Sequence, residues 1–375
     1  MKTIDWIFGL TILGLVCIEL IFGTWLWGDP LSPLNIIRDV EWIYSVDQLY
    51  PRAGPIVYRR DRWGFRGAYG QPSDINILVL GGSTTDERFI NEGETWPDVL
   101  ADCLRRSRYD ARLANASVTG QTSRGHLANF DLWFSRMPGL KPRYVLAYLG
   151  INELWVEALE EKDDPRRFNE EIQPHARWAE IFHWVKMKSA FYKLYRTAKG
   201  QWIAIREGIA YGLPRAGGQR DVDDIARRYA EKADQTIERD SWAHSRKAAQ
   251  ARLAYAAQRK SFRSRLEKLY QRIRRFGAEP IFVTQTWATY RRQGNAISGD
   301  IDHYFIQNTY NDVTLDFCET RDMTCVDLGG RLTFLSGDTF DVVHTTPQGS
   351  RRVGEFICKE LIRDPGFSLP RSDGG

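Results

Sequence analysis

Five short apolar runs separated by helical patterns constrain this chain of 375 residues more than any other feature. They lie at 75–80 (INILVL), about 112–118, 144–149 (YVLAYL), 280–284 (PIFVT) and 324–328. Strand-helix alternation of this kind implies a parallel sheet with helices on both faces. Strands buried on both faces read as continuous apolar stretches, and INILVL, YVLAYL and PIFVT do so. The expected fold is an α/β three-layer sandwich on a five-stranded parallel sheet.

Between about 154 and 275 the strand signals vanish and the composition becomes helical and charged. That is too long for a single crossover, so residues 156–277 are expected to form a helical insertion. Within it, 184–211 interleaves Lys186, Lys188, Lys193, Arg196, Lys199 and Arg206 with Phe191, Tyr192, Tyr195 and Trp202. Such a stretch suits a basic amphipathic helix on anionic lipid or over a pocket, or an ordinary helix with a solvated charged face.

Residues 6–28, WIFGLTILGLVCIELIFGTWLWG, carry Glu19 as their one charge. As a helix, Trp6 to Trp27 would span about 31 Å, enough for a bilayer core of roughly 30 Å. Trp6 lies at one end and Trp25 and Trp27 at the other, as in an aromatic belt. A cleavable signal peptide would have a shorter apolar region and a small-residue exit, whereas this run ends in large residues and GDPLSP. Residues 1–28 are therefore expected to be a single transmembrane anchor. Lys2 precedes it and Arg38 is the next basic residue, so positive-inside favours a cytoplasmic amino terminus and an extracytoplasmic remainder. Glu19 is costly in lipid and points to a neutral or snorkelling side chain or to a partner helix. Residues 29–73 read as an irregular connector containing Asp61-Arg62-Trp63-Gly64-Phe65-Arg66-Gly67, and 364–375 as a tail.

Composition is ordinary for a globular protein, 43% apolar and 27% charged, which argues against disorder and coiled coil. The 52 Lys and Arg against 48 Asp and Glu give a net charge of +4, no support for nucleic-acid binding. The five cysteines form neither a CxxC nor a Cys/His cluster, so no zinc or other metal is expected. Cys17 sits in the apolar run, and Cys103 and Cys358 fall on expected helices. Cys318 and Cys325 bracket a helix-to-strand loop and are either bridged, in an oxidising periplasm, or free. His126, His175, His183, His244 and His303 show no ligand spacing.

The chemistry gathers at strand ends. After the first strand comes Gly81-Gly82-Ser83-Thr84-Thr85, a sharp turn that puts Ser83 at the carboxyl edge of the sheet, where open α/β folds bind ligands. It lacks the third glycine of a dinucleotide fingerprint, the Gly-Lys-Ser/Thr of a phosphate-binding loop and the last glycine of a G-x-S-x-G elbow. The second strand leads to Thr119-Gly120-Gln121 and the third to Gly150-Ile151-Asn152-Glu153. After the fifth comes Asp341-Val342-Val343-His344, just before Thr346-Pro347 starts a helix. Three-residue spacing lets the carboxylate reach one imidazole nitrogen and fix its tautomer. A nucleophile, a backbone donor, an amide donor and an Asp/His pair at one sheet edge are the parts of serine acyl transfer.

The order Ser83, Gly120, Asn152, Asp341-x-x-His344 resembles the SGNH/GDSL hydrolases, named for that Ser-Gly-Asn-His set. Resemblance covers about 74–155 and 278–363, with the insertion between them unmatched. Asp61-x-x-Gly64-Phe65-Arg66 and Thr95-Trp96-Pro97 resemble the membrane-anchored bacterial branch. Two departures stand out: Gly82 where the first block usually has Asp, and Glu153 where the third usually has Asp. The resemblance implies a flavodoxin-like sheet and a catalytic set of Ser83, Asp341 and His344. It also implies an oxyanion hole of the Ser83 and Gly120 amides and the Asn152 side chain, with no cofactor. The expected function is a membrane-anchored serine esterase of the bacterial inner membrane, its catalytic domain periplasmic. Its substrate would be an acyl ester, an O-acetyl group of envelope glycan or lipid. An O-acyltransferase to a glycan, or a non-catalytic membrane-anchored module that scaffolds a complex, with a membrane partner met through Glu19, are the alternatives.

Overall fold

The computed structural model describes residues 2–155 and 235–371, apart from positions 24, 27–30, 32–33, 35, 48 and 53, with scattered positions between 185 and 232. Helix α1 (Lys2–Phe22) comes first, followed by strands β1 (Val40–Tyr44) and β2 (Ile56–Arg60). Next are β3 (Ile77–Gly81), the single turn α2 (Ser83–Asp86), α3 (Trp96–Arg106), β4 (Leu113–Asn115), α4 (Ser123–Leu132) and β5 (Tyr144–Tyr148). Later come β6 (Thr236–Glu238), α5 (Trp242–Ala254), α6 (Ala256–Arg275), β7 (Glu279–Val283), β8 (Tyr290–Gln293) and β9 (Ala296–Gly299). The chain finishes with α7 (Ile301–Glu319), β10 (Cys325–Val326), α8 (Leu328–Arg331) and α9 (Pro347–Arg363).

The five expected strands form one parallel sheet in the order β10-β7-β5-β3-β4. Alternate side chains of a strand point to opposite faces, and β3 shows this directly. Ile77 and Val79 pack with Trp96, Leu100 and Leu104 of α3 and Val353, Ile357 and Leu361 of α9. Leu78 and Leu80 pack on the other face with Phe130 of α4, Leu266, Leu269 and Ile273 of α6, and Tyr310, Val313 and Phe317 of α7. Both faces are covered, as the continuous apolar runs required. The turns after β3, β4, β5 and β7 therefore open at one edge.

Residues 29–73, read from sequence as an irregular connector, carry the antiparallel pair β1–β2, with Val40 opposite Arg60 and Tyr44 opposite Ile56. Tyr44, Tyr50, Ile56 and Tyr58 pack with Ile90 beside the nucleophile turn, and Trp42, Phe89 and Phe340 border them. Arg60 of β2 is buried among partners described below. Of the expected helical insertion, α5 and α6 are helical. Thr236–Glu238 instead pairs with β9 in a three-stranded antiparallel sheet, β6-β9-β8, over Trp287, Tyr290 and Tyr304. Residues 156–184 and most of 185–234, including much of the basic aromatic stretch, lie outside the described residues.

The apolar helix is shorter than the expected span of 6–28. It ends at Phe22, where Gly23 closes the last turn onto the Glu19 carbonyl. Among the described residues, no helix is long and apolar enough to cross a membrane. Its large apolar side chains from Trp6 on are nonetheless bare, with Trp6 74%, Ile21 65% and Phe22 70% exposed. Glu19 accepts hydrogen bonds within its own chain, from the Trp25 indole and the Ala190 and Phe191 amides.

Four of the five cysteines are bridged, Cys103–Cys358 and Cys318–Cys325. The first links α3 to α9 over 255 residues of chain. Closing so long a loop restricts the unfolded chain, so Cys103→Ala/Cys358→Ala should lower stability by about 2–4 kcal/mol in urea unfolding. A midpoint unchanged from wild type would contradict this.

Candidate active site

Four turns at the carboxyl edge of the sheet bring the expected residues together. Ser83 opens α2 directly after β3, with Gly82 as its cap residue. His344 precedes α9, whose start is set by Thr346 accepting from the Gly349 amide and by Pro347 in the first turn. Ser83 Oγ lies 2.8 Å from His344 Nε2. His344 Nδ1 is in contact with Asp341 Oδ2, which holds the ring so that Nε2 faces the serine. Asp341 Oδ1 accepts from the Val343 amide at 2.8 Å and the His344 amide at 2.6 Å, closing the three-residue loop that the spacing suggested. Phe340 stacks on the imidazole, with ring centres 5.8 Å apart.

Burial pushes the Asp341 carboxyl up, but hydrogen bonds and charge from His344 and the two amides override it and hold it below the usual carboxylate range. The carboxyl is therefore ionised at neutral pH. The side chains of His344 and Asp341 are 32% and 17% exposed, so the imidazole can be reached while its partner is shielded.

Gly120 adopts φ +78°, a conformation that favours glycine, at the turn after β4. Asn152 follows β5, and its Nδ2 donates to the Gln121 carbonyl at 2.9 Å. An added Cβ at Gly82 would come within 2.3 Å of Asn152 Nδ2. The amide thus lies against the Ser83 turn and the Gly120 turn together. Any side chain at 82, the aspartate of the usual first block included, would require the Asn152 amide to shift. The second departure, Glu153, is buried: it accepts from the Ser123 amide at 2.7 Å and pairs with Arg265 of α6 at 2.8 Å. Gln285, after β7, joins the turns by accepting from the Ile151 amide at 2.6 Å and donating to Thr84 Oγ1 at 3.1 Å.

Sequence reasoning missed a group of buried charges under these turns. Asp86 and Arg60 pair at 2.5 Å with side chains 1% and 4% exposed. Arg60 also donates to Tyr58 Oη, the Gly64 carbonyl and the Ser117 carbonyl, and Asp86 accepts from Thr119 Oγ1 at 2.7 Å. Burial alone would raise the Asp86 carboxyl, but Arg60, Arg88 and Arg66 override it and hold it low. Arg66 donates to the Asp86 and Ile90 carbonyls and pairs with Glu92. The signal for this group was the charged Asp61-x-x-Gly-Phe-Arg66 stretch, singled out in the sequence without a role. Next to Asp86, Glu87 is also buried. Among the described residues no three metal-ligating side chains converge, and His126 is buried and kept neutral by desolvation, which pushes it down to about 3.

The sequence profile of the GDSL-like Lipase/Acylhydrolase family matches residues 79–352. The chain belongs to this family. The matched span begins within β3 and runs into α9, so it contains every turn described above. Solved structures similar to this GDSL-family chain include the following three. TesA is 15% identical, with 76% of this chain and 97% of that one covered and a TM-score of 0.38. A catalytic mutant of Axe2, an acetylxylan esterase from Geobacillus stearothermophilus, is 13% identical, with 79% and 96% covered and a TM-score of 0.40. LAE5, an alpha/beta hydrolase enzyme from the metagenome of Lake Arreo, is 13% identical, with 79% and 95% covered and a TM-score of 0.39. No curated protein matches the sequence.

Removing one member of a buried ion pair leaves the other uncompensated, at a cost of about 3–5 kcal/mol. Asp86→Ala should therefore destabilise the protein by that amount in thermal or urea unfolding, and Asp86→Ala/Arg60→Met by less. Equal losses for the single and double variants would contradict the pairing.

Proposed function

We propose that this GDSL-family protein is a serine esterase held at a membrane by α1 and acting on acyl esters of envelope glycan or lipid. The observation that carries this reading is the continuous hydrogen-bonded line from Ser83 Oγ through His344 to Asp341. Ser83 Oγ bonds to the ester carbonyl carbon as its proton passes to His344 Nε2. Asp341 stabilises the imidazolium without taking the proton. Negative charge on the carbonyl oxygen is met by the Ser83 and Gly120 amides and the Asn152 amide. Each such donor is worth about 2.7–4 kcal/mol in the transition state. His344 then protonates the departing alkoxide. Water, deprotonated in turn by His344, adds to the acyl-enzyme and releases the acid and free Ser83. Every proton is accounted for by His344 and water, so the cycle needs no cofactor.

The membrane part of the proposal rests on α1. Apolar surface left in water costs roughly 25 cal/mol per Å², and this helix exposes large apolar side chains on several faces. A lipid phase removes that cost. Two disulfides suit an oxidising compartment outside the cytoplasm, where envelope esters are found.

Full-length protein in detergent should hydrolyse p-nitrophenyl acetate, and Ser83→Ala should lower kcat by roughly three orders of magnitude or more. Equal rates for wild type and Ser83→Ala would sink the assignment of the nucleophile.

A further inference from the structure

Directly beneath the Ser83 and His344 turns, one buried carboxylate accepts hydrogen bonds from three residues on two segments far apart in the chain. Glu87 follows α2, and its own amide closes the nucleophile turn by donating to the Ser83 carbonyl at 2.9 Å. Its Oε2 accepts from the Trp96 amide at the start of α3, at 2.6 Å. Its Oε1 accepts from the hydroxyl of Thr345, the residue after His344, and from Ser350 Oγ in the first turns of α9, at 2.7 Å. Ser350 and Thr345 also bond to each other at 3.0 Å. Glu87 holds φ +43°, a left-handed conformation that disfavours any residue with a Cβ. A glycine would relieve that strain, yet a glutamate only 5% exposed is kept there. Backbone strain persists where the surroundings over-determine it, and the surroundings here are the three accepted hydrogen bonds.

We propose that Glu87 is a positioning residue: its carboxylate ties the turn bearing Ser83 to the loop bearing His344 and so sets the distance between them. It touches no substrate. Its effect runs through Thr345, one peptide from the base, and through the Ser83 carbonyl, one turn from its own amide. The inference rests on the serine-hydrolase reading of the site and extends it to a residue that the motif does not contain.

The tie is sensitive to pH. Burial raises the Glu87 carboxyl to about 7, and its hydrogen bonds pull it back only in part. The groups facing it are Asp98 from α3, which raises it further, Tyr148 from β5 and Tyr50 from the connection between β1 and β2. Ionised, the carboxylate can accept from all three donors at once. Protonated, one oxygen must donate, and a hydroxyl of Thr345 or Ser350 must turn away. For stability the sign is the reverse. A carboxyl raised on folding contributes stability that is fully present below its ordinary value near 4.5 and is lost as pH rises through about 7. Acid therefore favours the fold at this group while loosening the tie.

The test compares full-length wild type with Glu87→Gln, Thr345→Val and Ser350→Ala. Hydrolysis of p-nitrophenyl acetate is followed against pH, and the His344 ring is titrated by NMR. Glu87→Gln should lower kcat roughly ten- to a hundredfold with KM unchanged, because small misplacements of reacting groups cost about that much. It should also remove the ionisation near 7 from the ascending limb of the pH profile and from the His344 titration. If Glu87→Gln does not fold, Thr345→Val removes one donor to the same oxygen and should show the kcat loss on a smaller scale. A folded Glu87→Gln with wild-type kcat, pH profile and His344 titration overturns the inference. Equal activity of wild type and Ser83→Ala would instead overturn the serine-hydrolase reading, while the His344 titration would still decide whether Glu87 acts on that loop.

Discussion

The Asp86–Arg60 ion pair sits where the hairpin, the nucleophile turn and the turn after β4 meet, and the rest of the site depends on it. Burying two charges is costly, and the cost is offset only when nearly every donor and acceptor around them is used. Arg60 donates to Asp86, Tyr58 and two backbone carbonyls, and Asp86 accepts from Arg60, Tyr58 and Thr119. Those partners come from β2, from the loop after it, and from the turns after β3 and β4. Displacing any one of them would leave a donor or acceptor of the buried pair unsatisfied in a dry environment. Such a network specifies one arrangement of the turns, and Ser83 lies three residues before Asp86.

This clarifies what the segment before the sheet does. It is not a spacer between a helix and a domain, because β1–β2 supplies Arg60 and Tyr58 to the underside of the site. It also supplies Tyr50, which packs on Phe340, the ring stacked on His344. Hairpin, nucleophile turn and base-bearing loop thus share one apolar and charged cluster. At the opposite side, Arg265 of α6 reaches Glu153 and Ser123, so the end of the insertion braces the Asn152 turn.

The sheet was legible in the sequence because strands covered on both faces have to be continuously apolar. INILVL and YVLAYL fall within a residue or two of β3 and β5. Ser83, Gly120, Asn152, Asp341 and His344 were legible because their spacing from strand ends puts them at one edge. The hairpin was not, since VEWIY and IVYRR carry charges whose partners lie far along the chain. Arg60 has its partner in Asp86, 26 positions later, so no local pattern marks it as buried. Glu87 was hidden for the same reason: its partners at 345 and 350 are more than 250 residues away. The strand β6 was lost inside a stretch of helical composition, because only pairing with β9 defines it.

The central claim is that Ser83, activated by His344 and Asp341, is the reactive group of this protein. The most direct measurement is labelling of the full-length protein with a fluorophosphonate, followed by mass spectrometry of the modified peptide. A single adduct on Ser83, lost in His344→Ala while the protein stays folded, is the expected result. No adduct on Ser83 in folded wild type, or an equal rate of labelling without His344, would contradict the account.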